Sequence, residues 1–283
     1  MQMLRGGFPV FERHFGHGDE RAVLLHCALA QSKSLSRLAD GLSDRLTMIA
    51  PDMPGHGRSA AWDHRCNIHD QVTAIARDCL GKSGHVVGHS FGATVALRVA
   101  LENPRAVRSL TLIEPVLFAA AQESDPAALQ SYRDDAAAFA EALRQEDWET
   151  AAQAFTAVWG DGRSWQGVRE AERARFTSQM HFIRETEEVL LHDHAGLLSP
   201  GRPEQITCPT LLVRGADTHP IIAVIHQTLA RRIPNASEVV IPGAGHMVPI
   251  THPDPVAQHI KAILNAAARQ TLATSGPVRH LPQ

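Results

Sequence analysis

Hydrophobic positions along the chain follow two rhythms. Residues 8–15 (FPVFERHF) roughly alternate between flanking glycines and predict a strand, and residues 22–26 (AVLLH) form a short continuous run of the buried kind. Leu35, Leu38 and Leu42 predict a helix over 34–45, and residues 47–50 predict a strand stopped by Pro51. Ile68, Val72, Ile75, Ala76 and Cys79 share one face of a helix expected over 68–80. The run HVVG then enters a glycine turn, and ATVALRVALEN reads as a helix ending before Pro104. Further short strands are expected at 109–113, 210–213 and 238–241, with helices over 220–232 and 254–268. Strand and helix in alternation predict an α/β protein: a largely parallel sheet covered on both faces.

The alternation stops between about 119 and 200. Leu129, Tyr132, Ala136, Phe139, Leu143, Trp148, Ala152 and Phe155 keep helical spacing there, and no strand-like run interrupts them. Three or four helices inserted between two sheet strands are expected. The implied organisation is a core from 1–118 and 201–268, a helical cap from 119–200, and a flexible tail from 269–283. No repeat recurs at a fixed period.

Composition narrows the function classes. The chain has 283 residues, 44% of them hydrophobic, and 27 Lys+Arg stand against 30 Asp+Glu. That balance excludes a disordered chain and leaves no basic footprint for nucleic acid or an anionic membrane. No apolar run approaches the roughly 18–20 residues that span a bilayer. The first residues lack a signal-like apolar stretch, and Cys27, Cys66, Cys79 and Cys208 are scattered, so a cytoplasmic protein without a disulfide framework is expected. The inserted stretch departs from the average, with 15 acidic residues against seven arginines, which reads as a solvated outer face.

Gly88-His89-Ser90-Phe91-Gly92 matches the pattern G-x-S-x-G. The pentapeptide alone is a loose pattern. Its context is specific, because it follows an apolar strand and opens a helix, where a serine is held on a sharp, strained turn. A serine hydroxyl needs a general base, and the base needs a carboxylate to orient it. Downstream, Asp217 lies in the turn GADTHP after one predicted strand, and His246 lies in PGAGHMVP after the next. Each falls beyond the carboxyl end of a parallel strand, where open α/β sheets gather their sites. Glu114, in LIEPV, is the alternative carboxylate. Asp217 has the better turn and is the expected acid. The oxyanion donors are expected to be the main-chain N–H groups of Phe91 and Ala28, with Leu29 second.

Together LLHCALA, APDMPGHGRS, GHSFGA, GAD and GAGHMVP, in this order from about residue 8 to 268, resemble the α/β-hydrolase superfamily in its capped serine-hydrolase branch. HCALA is most similar to enol-lactonase-like and carboxylesterase-like members, although Cys27 stands where those usually have glycine. The resemblance implies an eight-stranded sheet, a helical cap over the site and the triad Ser90, Asp217, His246. Serine at the elbow argues against the dehalogenase and epoxide-hydrolase branches, which use aspartate there.

The expected activity is therefore hydrolysis of a small ester or lactone through an acyl-enzyme. Alternatives with the same triad are C–C bond hydrolysis of a ring-fission dienone and cofactor-free perhydrolysis. A non-catalytic ligand receptor on the same fold is the alternative of another class. Eight of the 14 aromatics (Tyr132, Phe139, Trp148, Phe155, Trp159, Trp165, Phe176, Phe182) fall in the insertion. Leu29, Trp148, Trp159 and Met247 are the residues expected to line a pocket for an apolar or weakly polar acyl group.

Other motifs carry less. Gly55–Ala60 formally fits a dinucleotide fingerprint but has prolines before it and no apolar helix after it. GKS at 81–83 lacks the glycine of a P-loop, and His192-Asp193-His194 has no further ligand placed near it. Neither a cofactor nor a metal is expected. Asp52 is expected to shape its loop, and Cys27 to be a small buried residue.

Overall fold

The computed structural model describes residues 2–274. Its strands are β1 (Met3–Arg5), β2 (Phe8–Val10), β3 (Glu12–Phe15), β4 (Glu20–Leu25), β5 (Leu46–Pro51), β6 (Gly84–His89), β7 (Val107–Ile113), β8 (Thr210–Gly215) and β9 (Ala236–Ile241). Seven of them form one sheet in the order β3-β5-β4-β6-β7-β8-β9. Only β3 runs antiparallel to its neighbour. The sheet is one strand short of the eight that the resemblance implies. The strand expected over 8–15 is divided: Gly6 and Gly7, both at positive φ, make a two-residue turn that pairs β1 with β2 as a separate hairpin, and β3 alone joins the main sheet.

Helices cover both faces, as the continuous apolar runs require. α1 (Ser36–Asp40), α11 (Val248–Thr251) and α12 (Pro253–Thr274) lie over one face, where Leu38, Val256, Ile260 and Leu264 pack with Leu24, Met48 and Val213. α2 (Ile68–Leu80), α3 (Phe91–Glu102) and α10 (Ile221–Arg232) lie over the other, where Ile75, Leu97 and Ile225 pack with Val23, Val86 and Leu212. α1 is shorter than the helix expected over 34–45 because a 3-10 turn at Ser32–Leu35 precedes it, yet Leu35, Leu38 and Leu42 are all buried as their spacing requires. α12 runs through the residues expected to begin a tail; the remainder of that tail lies outside the described residues.

Between β7 and β8 come six α-helices rather than three or four: α4 (Ala119–Ser124), α5 (Pro126–Asp135), α6 (Ala137–Arg144), α7 (Trp148–Trp159), α8 (Glu170–Ser178) and α9 (Met180–His192). The extra divisions have local causes. Asp125 accepts the N–H of Ala128 and is followed by Pro126, which ends one helix and starts the next. Asp147 caps α7 in the same way, accepting from Thr150. The insertion has an apolar cluster of its own, built from Ala142, Ala151, Ala152 and Met180 with Phe139, Trp148, Phe155, Trp165 and Phe176. One buried residue of the sheet half belongs to that cluster: Leu29.

The chain goes from β4 to the outer β5 and returns to β6 on β4's other side, so the order reverses between β4 and β6. The loop after β4 and the turn after β6 therefore open a crevice at the carboxyl edge of the sheet.

Candidate active site

Ser90 sits between β6 and α3 at φ 57° and ψ −118°, a conformation L-residues rarely adopt. The turn closes only because its neighbours lack side chains. A Cβ on Gly88 would lie 2.1 Å from the Gly92 carbonyl oxygen, and one on Gly92 would lie 2.5 Å from that of Leu25. The Ser90 N–H donates to the Ile113 carbonyl at 2.8 Å, which ties the elbow to the end of β7.

Ser90 Oγ is 2.9 Å from His246 Nε2, and His246 Nδ1 is 2.9 Å from Glu114 Oε2. The carboxylate partner of the imidazole is thus Glu114, and the expectation for Asp217 is corrected. Asp217 is exposed, and its described hydrogen bond is a main-chain one, from its N–H to the Ala244 carbonyl. The physical reason lies in strand order: β7 stands next to β6, whereas β8 is one strand further away. Glu114, directly beyond β7, has the reach to meet the imidazole from below. It is fully buried, and its carboxylate accepts from the Gly215 N–H at 2.7 Å and the Thr218 hydroxyl at 2.6 Å as well as from His246. A sequence signal existed, because Glu114 is the one charge in the run LTLIEPVLF, a place that burial alone does not give to a carboxylate.

His246 is also held from behind. His89 Nε2 donates to the His246 carbonyl at 2.9 Å, and the edge of the Trp159 indole meets the imidazole with ring centroids 4.7 Å apart. Burial pushes His89 down to about 3, so it is neutral in the folded protein.

Ala28, Ser90 and Phe91 line one cavity. The loop carrying Ala28 is fixed by two buried neutral histidines. His26 Nδ1 donates to the Cys27 carbonyl at 2.7 Å, while its Nε2 accepts the Met53 N–H at 3.0 Å. His56 Nδ1 donates to the Pro54 carbonyl at 2.9 Å, and its Nε2 accepts the Leu29 N–H at 3.2 Å. Burial lowers both, His56 to about 3. The Leu29 N–H is therefore occupied, whereas the N–H groups of Ala28 and Phe91 have no acceptor among the described residues. The Cys27 carbonyl belongs to the same peptide unit as the Ala28 N–H, so His26 orients that donor. Sequence reasoning missed both histidines because their partners are main-chain atoms of another loop. Asp52 shapes its loop, accepting the N–H groups of Ser32 and Arg58, and Gly55–Ala60 is part of that knot. Cys27 is buried and its thiol is pushed up to about 12, which keeps it protonated.

Strain concentrates here. Among the described residues six non-glycine residues have positive φ, and three of them are Leu29, Ser90 and Glu114. Each such residue costs on the order of 1–3 kcal/mol and persists where its surroundings fix it.

The cavity holds about 690 Å³. Val116, Phe118, Tyr132, Phe155, Trp159 and Leu190 form much of its wall, and the exposed Arg133, Arg144 and Arg184 stand on its lining further out. Of the four residues expected to line a pocket, it contains Trp159. The Leu29 side chain turns into the apolar cluster of the insertion. Trp148 lies under the Arg184 guanidinium, 5.0 Å from it, and lines a separate outer groove with Glu149, Glu170 and Arg173. Met247 opens α11, away from the cavity, and its carbonyl caps that helix. The first two are corrected by the bend of α6–α9 around Leu29, and the third by the turn that follows His246.

Among the described residues no group of three or more His, Cys, Asp or Glu is placed to hold a metal ion. At His192–His194, Asp193 ends α9 and accepts the N–H groups of Leu197 and Leu198. No helix among the described residues is long and apolar enough to cross a membrane.

A nucleophile elbow, a histidine after the last strand and a helical insertion over a mostly parallel sheet define an α/β hydrolase. The family model described as alpha/beta hydrolase fold matches residues 22–253, and the chain belongs to that family. It is 25% identical over 242 residues to a pimeloyl-[acyl-carrier protein] methyl ester esterase of Proteus mirabilis, covering 84% of this chain and 90% of that one. It is 28% identical over 260 residues to a 2-(acetamidomethylene)succinate hydrolase of Mesorhizobium japonicum, covering 86% of each. A putative lipase of Acinetobacter baumannii shares the fold with a TM-score of 0.74 at 18% identity, over 95% of this chain and 92% of that one. The chain spans only 30% of the length of an acetyltransferase component of an acetoin cleaving system from Cupriavidus necator and 41% of that of a Mycobacterium tuberculosis lipase, LipV. It is 34% identical to each, over 112 and 110 residues.

Proposed function

We propose that this protein is a serine hydrolase cleaving a carboxylic ester or lactone. The observation that carries the reading is the hydrogen-bonded line Ser90–His246–Glu114, opening on an apolar cavity beside two main-chain N–H groups without partners among the described residues. In this reading His246 Nε2 takes the proton of Ser90 Oγ as the oxygen attacks the carbonyl carbon. The N–H groups of Phe91 and Ala28 hold the oxyanion. His246 returns the proton to the leaving oxygen, and the carbonyl re-forms as an acyl-enzyme. Water, deprotonated by His246, then attacks the acyl carbon, and His246 returns that proton to Ser90 Oγ as the acid is released. Glu114 accepts a hydrogen bond from Nδ1–H throughout and stabilises the imidazolium. The inserted helices act as a cap, and their apolar wall suits an acyl group larger than acetyl, since the cavity volume falls within the range of drug-sized ligand sites.

A second reading concerns the substrate's far end. Three of the seven arginines of the insertion, Arg133, Arg144 and Arg184, line the cavity, against one of its 15 acids, Glu187. Arg144 and Arg184 already pair with Glu141 and Glu146, so Arg133 most directly favours an acyl chain ending in a carboxylate, and the succinate hydrolase named above carries such a group in its substrate's name. Turnover of p-nitrophenyl esters, lactones, ring-fission dienones and monomethyl against dimethyl dicarboxylates tests these readings together. Turnover of esters or lactones that Ser90→Ala removes is expected, with a fluorophosphonate adduct on Ser90. Cleavage of dienones alone assigns C–C hydrolysis, peracid formation assigns perhydrolysis, and tight binding without turnover or labelling assigns a receptor.

A further inference from the structure

Arg175, on α8 of the insertion, donates from Nη1 to the carbonyl oxygen of Leu29 in the sheet half. Its guanidinium is partly buried, makes no ion pair with a carboxylate among the described residues, and lies 4.7 Å from the centroid of the Phe176 ring. A partly desolvated guanidinium that touches no carboxylate is held at a cost, so its position calls for a reason. Leu29 supplies one. It has φ 60° and is 4% exposed, and each of its three parts is gripped separately. His56 takes its N–H, the insertion's apolar cluster takes its side chain, and Arg175 takes its carbonyl. Two of the three grips come from the insertion, and the residue they fix follows Ala28 directly.

We propose that Arg175 is a positioning residue for the oxyanion hole, holding the 28–29 loop from the insertion so that the Ala28 N–H faces the reacting carbonyl. Oxyanion stabilisation then depends on the seating of the inserted helices, which couples substrate enclosure to chemistry. The proposal rests on the serine-hydrolase reading given above.

The test compares Arg175→Met and Arg175→Lys with Trp62→Phe. The last removes another tie between the two halves, the 2.7 Å bond from Trp62 Nε1 to Glu185, which involves neither Ala28 nor Leu29. Arg175→Met is expected to lower kcat about 10- to 100-fold, less than the ~10²–10³ lost when an oxyanion donor is removed outright, with KM changed less than threefold. A trifluoromethyl ketone, which forms an oxyanion on Ser90, is expected to bind more weakly by the same factor. Amide hydrogen exchange at 26–30 is expected to quicken, and Arg175→Lys to recover part of the loss. Trp62→Phe is expected to leave kcat and the ketone affinity within threefold. The proposal is overturned if Arg175→Met keeps kcat within threefold, or if Trp62→Phe reproduces its losses. Should Arg175→Met not fold, Arg175→Gln carries the same comparison. Absence of any turnover or Ser90 labelling in the wild-type protein refutes the hydrolase reading instead, and faster exchange at 26–30 in the variant still reports on the loop.

Discussion

The sheet half and the inserted helices are built on opposite principles. In the sheet half, the groups proposed to react sit at strand ends: Ser90 after β6, Glu114 after β7, His246 after β9. Their positions follow from main-chain hydrogen bonds, such as those from the Ser90 N–H to Ile113 and from the Glu114 N–H to Val213, and from backbone strain that the sheet enforces. The insertion is joined by short helices and local caps, and it offers side-chain surface: an apolar cavity wall and a charged outer face. Changes in the first half are therefore expected to act on chemistry and global stability, and changes in the second on substrate choice, except at Arg175, where the insertion touches the loop beside Ser90.

The largest effect comes from the carboxylate. Glu114→Gln is expected to lower kcat about 10³–10⁴-fold, as loss of the orienting acid does in serine triads, while Asp217→Asn stays within about threefold. Steady-state kinetics of the two variants decide it, and the reverse pattern would restore Asp217.

Next in size is the response of the sheet half to acid. His56, His69 and His89 are each pushed down to about 3 by burial, from an ordinary value near 6.5. Between these values the unfolded chain binds protons that the folded chain does not, so stability falls as pH falls from about 6.5 toward 3. Each histidine contributes about 1.4 kcal/mol per pH unit in that window, roughly 4 for the three. Urea midpoints measured from pH 7 to pH 4 test this, and His69→Gln is expected to reduce the slope by about 1.4 kcal/mol per pH unit. A flat profile would contradict it.

A smaller effect is expected in the insertion. Phe155→Ala, opening the cavity wall beside Phe139, should lower kcat/KM about tenfold for long-chain p-nitrophenyl esters and little for acetate. An equal loss for every chain length would mean that the wall supports the chemistry as well. The smallest is on the outer face: Arg169→Ala breaks the pair with Glu172 and is expected to leave the urea midpoint unchanged.

Much of this was legible in the sequence, and the misses share a cause. Ser90 and His246 could be found because glycines and strand rhythm mark a turn locally. Glu114 against Asp217 could not be decided, because both follow strands and only the order β6-β7-β8 makes one of them adjacent. Trp159 was foreseen in the pocket, but Trp148, with the same composition and helical spacing, faces an outer groove. Helical periodicity gives a buried side and not the identity of what covers it.

The sequence by itself determined the alternating core, the site of the insertion, and the elbow with the serine on it, since these depend on neighbours within a few residues. The tertiary structure alone decided which carboxylate meets the imidazole, which N–H groups stay free, and that an arginine of the insertion holds the loop beside Ser90. Those contacts join residues 27 to 146 positions apart, and no local pattern of hydrophobicity or turn chemistry encodes which distant partner a polar group will meet.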